Sequence, residues 1–196
     1  MSAELQLPAA MDGRHRRSLS SRARIIQATQ ALVLEGNPDP RAEDVAARAG
    51  VGLRTVFRLF RDMESVCAEM LVPQRQAFVE CFTVPFAAPE GAGRVRELFT
   101  RLAALYEARA PLRRAAISRR YTSPSLAAAM AELDAAITAF IDAQVAPEGP
   151  GHAFRRTMLN LLMSYDTWLR LRDSQALDHD QTLATLRQAM DAHLAA

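Results

Sequence analysis

A single glycine between two short amphipathic runs constrains this chain more than any other feature. In the segment Arg41–Phe60, RAEDVAARAGVGLRTVFRLF, the residues Val45, Ala46 and Ala49 fall at i, i+1 and i+4 and make one apolar stripe at helical period. Gly50 follows directly, where a residue able to take φ > 0 lets the chain leave the helix and reverse. Val51, Val56 and Leu59 give the next run its own buried side, and Ala46 is small where two helices crossing at roughly 90–120° must approach closely. The spacing predicts a helix-turn-helix over 41–60, its second helix running from Leu53 to Phe60. The outward side of that helix carries Leu53, Arg54, Thr55 and Arg58, donors plus one apolar probe suited to a major groove. An αα-corner in an ordinary helical domain needs the same glycine and the same small residue, so spacing alone leaves both readings open.

The flanking residues narrow the choice. Asp44, Val45 and Ala46, then Ala49, Gly50 and Val51, then Thr55, Val56, Phe57, Arg58 and Phe60, and finally Glu64, resemble the pattern of the TetR family of bacterial transcription regulators. The resemblance covers roughly residues 20–70; the rest matches only in general character. It implies contact with double-stranded DNA through Arg41, Leu53, Arg54, Thr55, Phe57 and Arg58. Four positions depart from the pattern. Arg41 stands where the family usually has a phosphate-touching Thr, so that contact becomes charge-assisted. Gly52 replaces a common Ser, Phe57 a frequent Tyr, and Met63 a frequent Lys, each removing one polar partner.

Charge is distributed in keeping with this. All 24 basic residues are Arg; the absence of Lys, with abundant Ala, reads as the mark of a genome rich in G and C. Residues 1–61 hold ten Arg against six acidic residues, a balance of +4, and residues 62–196 hold fourteen against sixteen, a balance of −2. A positive head on a mildly acidic body suits a protein that presents one end to nucleic acid.

The reading along the chain is all-helical, with about nine helices. Residues 1–19 read as a basic, mobile arm whose Arg16 and Arg17 could lie on phosphate. Residues 20–66 form the helix-turn-helix domain, its first helix capped by Ser20 or Ser21, its second by Asp39 with Pro40 at the first helical position. Asp62 is expected to cap the fourth helix, which Pro73 should kink or break near Val72. Residues 67–196 form a larger helical body, in which Pro147, Gly149, Pro150 and Gly151 mark a loop and 152–173 read as one long helix. That helix is apolar over much of its circumference and needs partners on two sides. With the last helix it suggests a homodimer through a four-helix bundle, using Tyr165, Trp168, Leu183, Leu186 and Met190. The resemblance implies the same dimer. Phe99, Leu102, Tyr106, Met130, Phe140, Met158 and Met163 are candidate lining for an apolar ligand cavity, with Arg113, Arg119 or Tyr121 as polar points; plain core packing accounts equally well for each.

Other function classes find less support. Four scattered His, no Gly-rich phosphate loop after a strand and no recognisable nucleophile argue against an enzyme, and no metal or other cofactor is expected. Cys67 and Cys81, fourteen residues apart on one helical stretch, would lie about 21 Å apart if that stretch were continuous, so free thiols are expected. No segment reaches the ~18 unbroken apolar residues of a bilayer span, and a cytoplasmic protein with no membrane partner is expected. The sequence therefore suggests a regulator that binds an inverted-repeat operator as a homodimer and is released by an unidentified small molecule. Repression is taken from the family's commonest mode. A helical carrier of small molecules or lipids without DNA binding, or a DNA-binding regulator controlled by a protein partner, remain the alternatives.

Overall fold

Helices alone, joined by turns and short loops, make up the described chain. The computed structural model describes residues 13–145 and 151–194, with side chains from residue 17 onward. It contains eleven α-helices and one π-helical turn and divides into two units, Met1–Met70 and Leu71–Ala196.

The first unit holds α1 (Gly13–Leu34), α2 (Ala42–Ala49), α3 (Leu53–Leu59) and α4 (Met63–Met70). Its core is made by Ile25 and Ala28 of α1, Val45 and Ala46 of α2, Val56 of α3 and Val66 of α4, closed by Phe60 after α3. Gly50 takes the left-handed conformation that the turn requires, φ 62° and ψ 41°, and the amide of Val51 donates to the carbonyl of Ala46 at 3.0 Å. A Cβ at Gly50 would meet nothing closer than an Arg24 nitrogen at 4.0 Å, so the constraint there is conformational rather than steric. Arg22 ties the unit together: its guanidinium forms an ion pair with Glu69, donates to the Leu59 carbonyl at 2.6 Å, and lies 4.2 Å from the Phe60 ring centroid. Asp62 caps α4 as expected, accepting from the Ser65 amide at 2.8 Å, while the Asp62 amide donates back to the Ser65 hydroxyl at 3.3 Å.

Two boundaries in this unit differ from expectation. α1 begins at Gly13, so residues 13–19 are helix rather than arm; the rest of the expected arm and the side chain of Arg16 lie outside the described residues. α2 begins after Arg41 and not at Pro40. Asn37 accepts from the Asp39 amide at 3.2 Å, closing a turn, and Pro40 is buried rather than opening the helix.

The second unit holds α5 (Val72–Thr83), α6 (Ala92–Ala108), α7 (Ala110–Arg119), α8 (Pro124–Gln144), α9 (His152–Met163), α10 (Tyr165–Leu169), a π-helical turn (Arg170–Ser174) and α11 (His179–Leu194). α6 is its central rod. Val95, Leu98, Phe99, Leu102 and Tyr106 recur at three- and four-residue spacing and are fully buried. Ile137 and Ile141 of α8, Leu159 and Met163 of α9, Trp168 of α10 and Met190 of α11 close around it. Burying each such side chain contributes roughly 1.5–3 kcal/mol. Arg101 anchors the end of α5, donating to the carbonyls of Cys81 (3.0 Å), Val84 (2.7 Å) and Pro85 (2.7 Å) while paired with Glu97 at 2.6 Å. Glu97 also accepts from the Ala88 amide at 2.8 Å; that bond, together with the Arg101 guanidinium, holds its carboxyl below the usual range.

Eleven helices replace the expected nine because two long ones are broken. α4 and α5 part at Leu71, with Pro73 in the first turn of α5, where its missing N–H costs nothing. The stretch 152–173 breaks at Ser164, which adopts an extended conformation (φ −71°, ψ 149°) and whose hydroxyl caps α10 by accepting from the Thr167 amide at 3.2 Å. Cys67 and Cys81 are buried, one in each unit, and are not joined in a disulfide. Among the described residues no helix is long and apolar enough to cross a membrane.

Candidate nucleic-acid interface and body cavity

α3 is a short helix with a sharp division of faces. Val56 points inward, and Leu53, Arg54, Phe57 and Arg58, at i, i+1, i+4 and i+5, form one exposed face. Leu53 and Phe57 are 38% and 50% exposed, which puts large apolar groups in water beside two cations. Thr55 sits at the side, half-buried, its amide donating to the Gly52 carbonyl at 2.8 Å. Gly52, the residue before α3, contributes no side-chain cap. Arg41 is exposed at the start of α2, and Arg17 is exposed on α1.

The arginines of this unit separate by what they touch. Arg22 is engaged with Glu69 and Leu59, Arg48 with Glu35, and Arg61 with Asp62 at 2.9 Å. Arg41, Arg54 and Arg58 are exposed without an ion pair or hydrogen bond among the described residues. Ion pairs as exposed as that of Arg61 add little stability, but they do occupy and orient a guanidinium. The three unoccupied ones are those the sequence singles out for DNA.

The second unit contains a cavity of about 240 Å³ that is partly open to solvent. α5 contributes Gln74, Phe78 and Val79, α6 contributes Leu105, Arg109 stands between α6 and α7, and α7 contributes Leu112, Arg113 and Ile117. α8 adds Met130, Glu132 and Leu133, and Tyr165 of α10 completes the wall. The lining is mainly apolar with a few polar groups, the composition of a small-molecule site. The Arg113 guanidinium lies 4.3 Å from the Tyr165 ring centroid and 5.0 Å from that of Tyr106. Its buried Nε has no hydrogen-bond partner, nor has the buried Nε2 of Gln74, whose Oε1 is held by Arg109. A buried donor without an acceptor costs on the order of 1–3 kcal/mol.

Most expected cavity residues lie elsewhere. Of Phe99, Leu102, Tyr106, Arg119, Met130, Phe140, Met158 and Met163, only Met130 lines the cavity. Phe99, Leu102, Tyr106 and Met163 are filled core, and Phe140 packs against that core beside Phe82 and Phe86. Met158 is half-buried on α9, Arg119 is half-buried at the end of α7, and Tyr121 is exposed; Arg113 alone of the expected polar points faces the cavity. The contribution of α5 was missed, although Leu71, Gln74, Arg75 and Phe78 recur at i, i+3, i+4 and i+7 and mark one face once Pro73 is read as a break.

The structure places the expected dimer residues inside the protomer. Tyr165, Trp168, Leu186 and Met190 are buried in the protomer's own core, and Leu183 packs against it. The break at Ser164 turns α10 inward, so Tyr165 and Trp168 pack on Tyr106, at ring distances of 5.2 and 6.3 Å. Within 152–173 the apolar surface left outward is on α9, where Phe154 and Leu161 are 61% and 53% exposed with half-buried Met158 between them.

No protein-family model matches the sequence, and no curated protein is significantly similar to it. Solved structures do match over nearly the whole chain. A transcriptional regulator from Rhodococcus sp. Rha1 is 20% identical, with a TM-score of 0.69 over 91% of this chain and 96% of that one. The multidrug binding protein EbrR, complexed with imidazole, is 18% identical, with a TM-score of 0.68 over 93% and 97%. A TetR transcriptional regulator from Rhodococcus sp. RHA1 is 19% identical, with a TM-score of 0.54 over 92% and 98%.

Proposed function

With the TetR-family fold of this chain as the premise, we propose that it is a transcription regulator that binds an inverted-repeat operator as a homodimer and is released by a small molecule. The observation that carries the reading is the outward face of α3. Arg54 and Arg58 stand there unpaired beside exposed Leu53 and Phe57, while other arginines of the same unit are engaged within the protein. Arg54 and Arg58 are the groups for base edges, and Arg41 with Arg17 and Arg16 the groups for phosphate. A carrier without DNA binding would leave this face without a use.

An inverted repeat presents two half-sites about one helical turn apart, so one head reads only half of it. The stripe of exposed Phe154 and Leu161 with half-buried Met158 on α9 is the surface we assign to a second copy, in place of the buried residues named from sequence. The cavity supports the ligand response. α5, which lines it, follows α4 after a single residue, so the cavity wall and the first unit are joined directly through the chain. A coupling of ~1–3 kcal/mol would lower operator affinity about 5–150-fold. Repression is proposed on the fold analogy.

Selection of bound fragments from random double-stranded DNA, followed by fluorescence anisotropy at moderate salt, tests the proposal. A selected fragment should outcompete bulk DNA, with affinity falling steeply as salt rises. Failure of every selected fragment to outcompete bulk DNA would remove the regulator reading.

A further inference from the structure

We infer that the cavity of the second unit takes a small organic anion of roughly eight to ten non-hydrogen atoms in all, an apolar chain ending in a carboxylate, bound at Arg113 and Gln74. This rests on the reading of the cavity as a ligand site and adds the chemistry of the ligand.

The charges around the cavity are unbalanced. Arg75, Arg109 and Arg113 line it against one acidic residue, Glu132. Glu132 is already paired with Arg75 at 2.5 Å, and both side chains are more than half exposed, so that pair lies at a solvated rim. Arg109 is committed to the Oε1 of Gln74. Arg113 forms no ion pair among the described residues; Asp134 feels its charge but does not line the cavity, whose wall at Arg113 is otherwise mostly apolar. A cation in such surroundings calls for an anion or for water.

Geometry makes Arg113 a receptor rather than a loose surface group. Two tyrosine rings hold its guanidinium, and contact with aromatic faces leaves the edge donors of the planar fork to meet a planar acceptor, which a carboxylate matches with two parallel bonds. Gln74 supplies a second donor: since Arg109 fixes the Oε1, the amide nitrogen is the end left without an acceptor. Phe78, Leu105, Leu112, Met130 and Leu133 provide walls for an apolar body. At about 30 Å³ per water-sized group, 240 Å³ holds on the order of eight such groups, the scale of a medium-chain monocarboxylate. An organic cation finds no unpaired carboxylate on this lining.

Titration calorimetry of the full chain at neutral pH with octanoate, 1-octanol and octylammonium isolates the charge at nearly constant apolar bulk. Octanoate should bind about tenfold or more tightly than octanol, with octylammonium weakest. Arg113→Met should bring octanoate down to the affinity of octanol and leave octanol within about twofold, and Gln74→Leu should weaken octanoate to a smaller degree. Octanoate binding no tighter than octanol, octylammonium binding tightest, or no binding of any of the three would overturn the inference. The wild-type series decides it alone if Arg113→Met fails to fold. DNA selection uses no probe, so its failure and the failure of the charge series are read separately.

Discussion

The phenol of Tyr106, near the end of α6, donates a hydrogen bond of 2.9 Å to the carbonyl of Met163, the last residue of α9, across 57 positions of sequence. Terminal carbonyls of a helix have no partner within it. Here one is met by a side chain from another helix, at the point where the chain turns out of α9 into α10. Complete burial pushes the Tyr106 phenol far above its ordinary value, so it stays a donor at all physiological pH. Ser164 and Thr167 complete the break, their hydroxyls donating to the Leu161 carbonyl at 2.7 and 2.6 Å.

Tyr106→Phe keeps the ring contacts and leaves the Met163 carbonyl without its donor. It should destabilise the protein by about 1–3 kcal/mol in urea denaturation. Stability equal to wild type would show that this bond does not hold the break.

Arg54 and Arg22 should respond in opposite ways. Arg54→Ala removes an exposed, unpaired side chain; its effect on stability should stay within about 0.5 kcal/mol, while operator affinity falls by about 1–3 kcal/mol. Arg22→Ala removes the ion pair with Glu69, the bond to Leu59 and the contact with Phe60, and should lower thermal stability by about 1–3 kcal/mol. Equal loss of stability in both variants would contradict the division between occupied and unoccupied arginines.

Two leucines separate core from interface. Leu186→Arg would bury an unpaired cation among the core residues of α11 and should prevent folding of the body, seen as loss of helical circular dichroism. Leu161→Arg, at an exposed position, should leave the helical signal intact and convert a sedimenting dimer to monomer, with loss of operator affinity. A dimer that survives Leu161→Arg is formed by another surface.

Asp62 carries a pH dependence. Its hydrogen bonds to the Ser65 hydroxyl and amide, then the Arg61 guanidinium, lower its carboxyl from 3.8 to about 2. A lowered folded-state value means that the contribution is present in full above the unfolded value and is lost as pH falls through the folded one. The melting temperature of Asp62→Ala should therefore lie below wild type at neutral pH, and the gap should close as pH falls from 3.8 towards about 2. A gap that is constant with pH would mean that the cap does not depend on ionisation.

What could be read from the sequence was what neighbouring residues decide among themselves. Gly50 turns the chain because its own conformation allows it, Asp62 caps α4 through a residue three positions on, and Val45, Ala46 and Val56 face inward by helical period. The outward set Leu53, Arg54, Phe57 and Arg58 follows from the same period, as does the inner stripe of α6. Tertiary structure decided what depends on distant partners. The apolar stripe of 152–173 looks continuous in sequence, and it breaks at Ser164 because Tyr106 receives the freed carbonyl and a core accepts Trp168. That break moved Tyr165 and Trp168 from the expected dimer surface into the protomer, and left Phe154 and Leu161 outside. The cavity has the same origin. A void forms where five helices meet without filling the space between them, so Arg113 and Gln74 line it while the larger Phe99 and Tyr106 are packed solid nearby. Periodicity tells which face of a helix is apolar; only the packing of all the helices together tells whether that face meets a neighbour, a second molecule or a cavity.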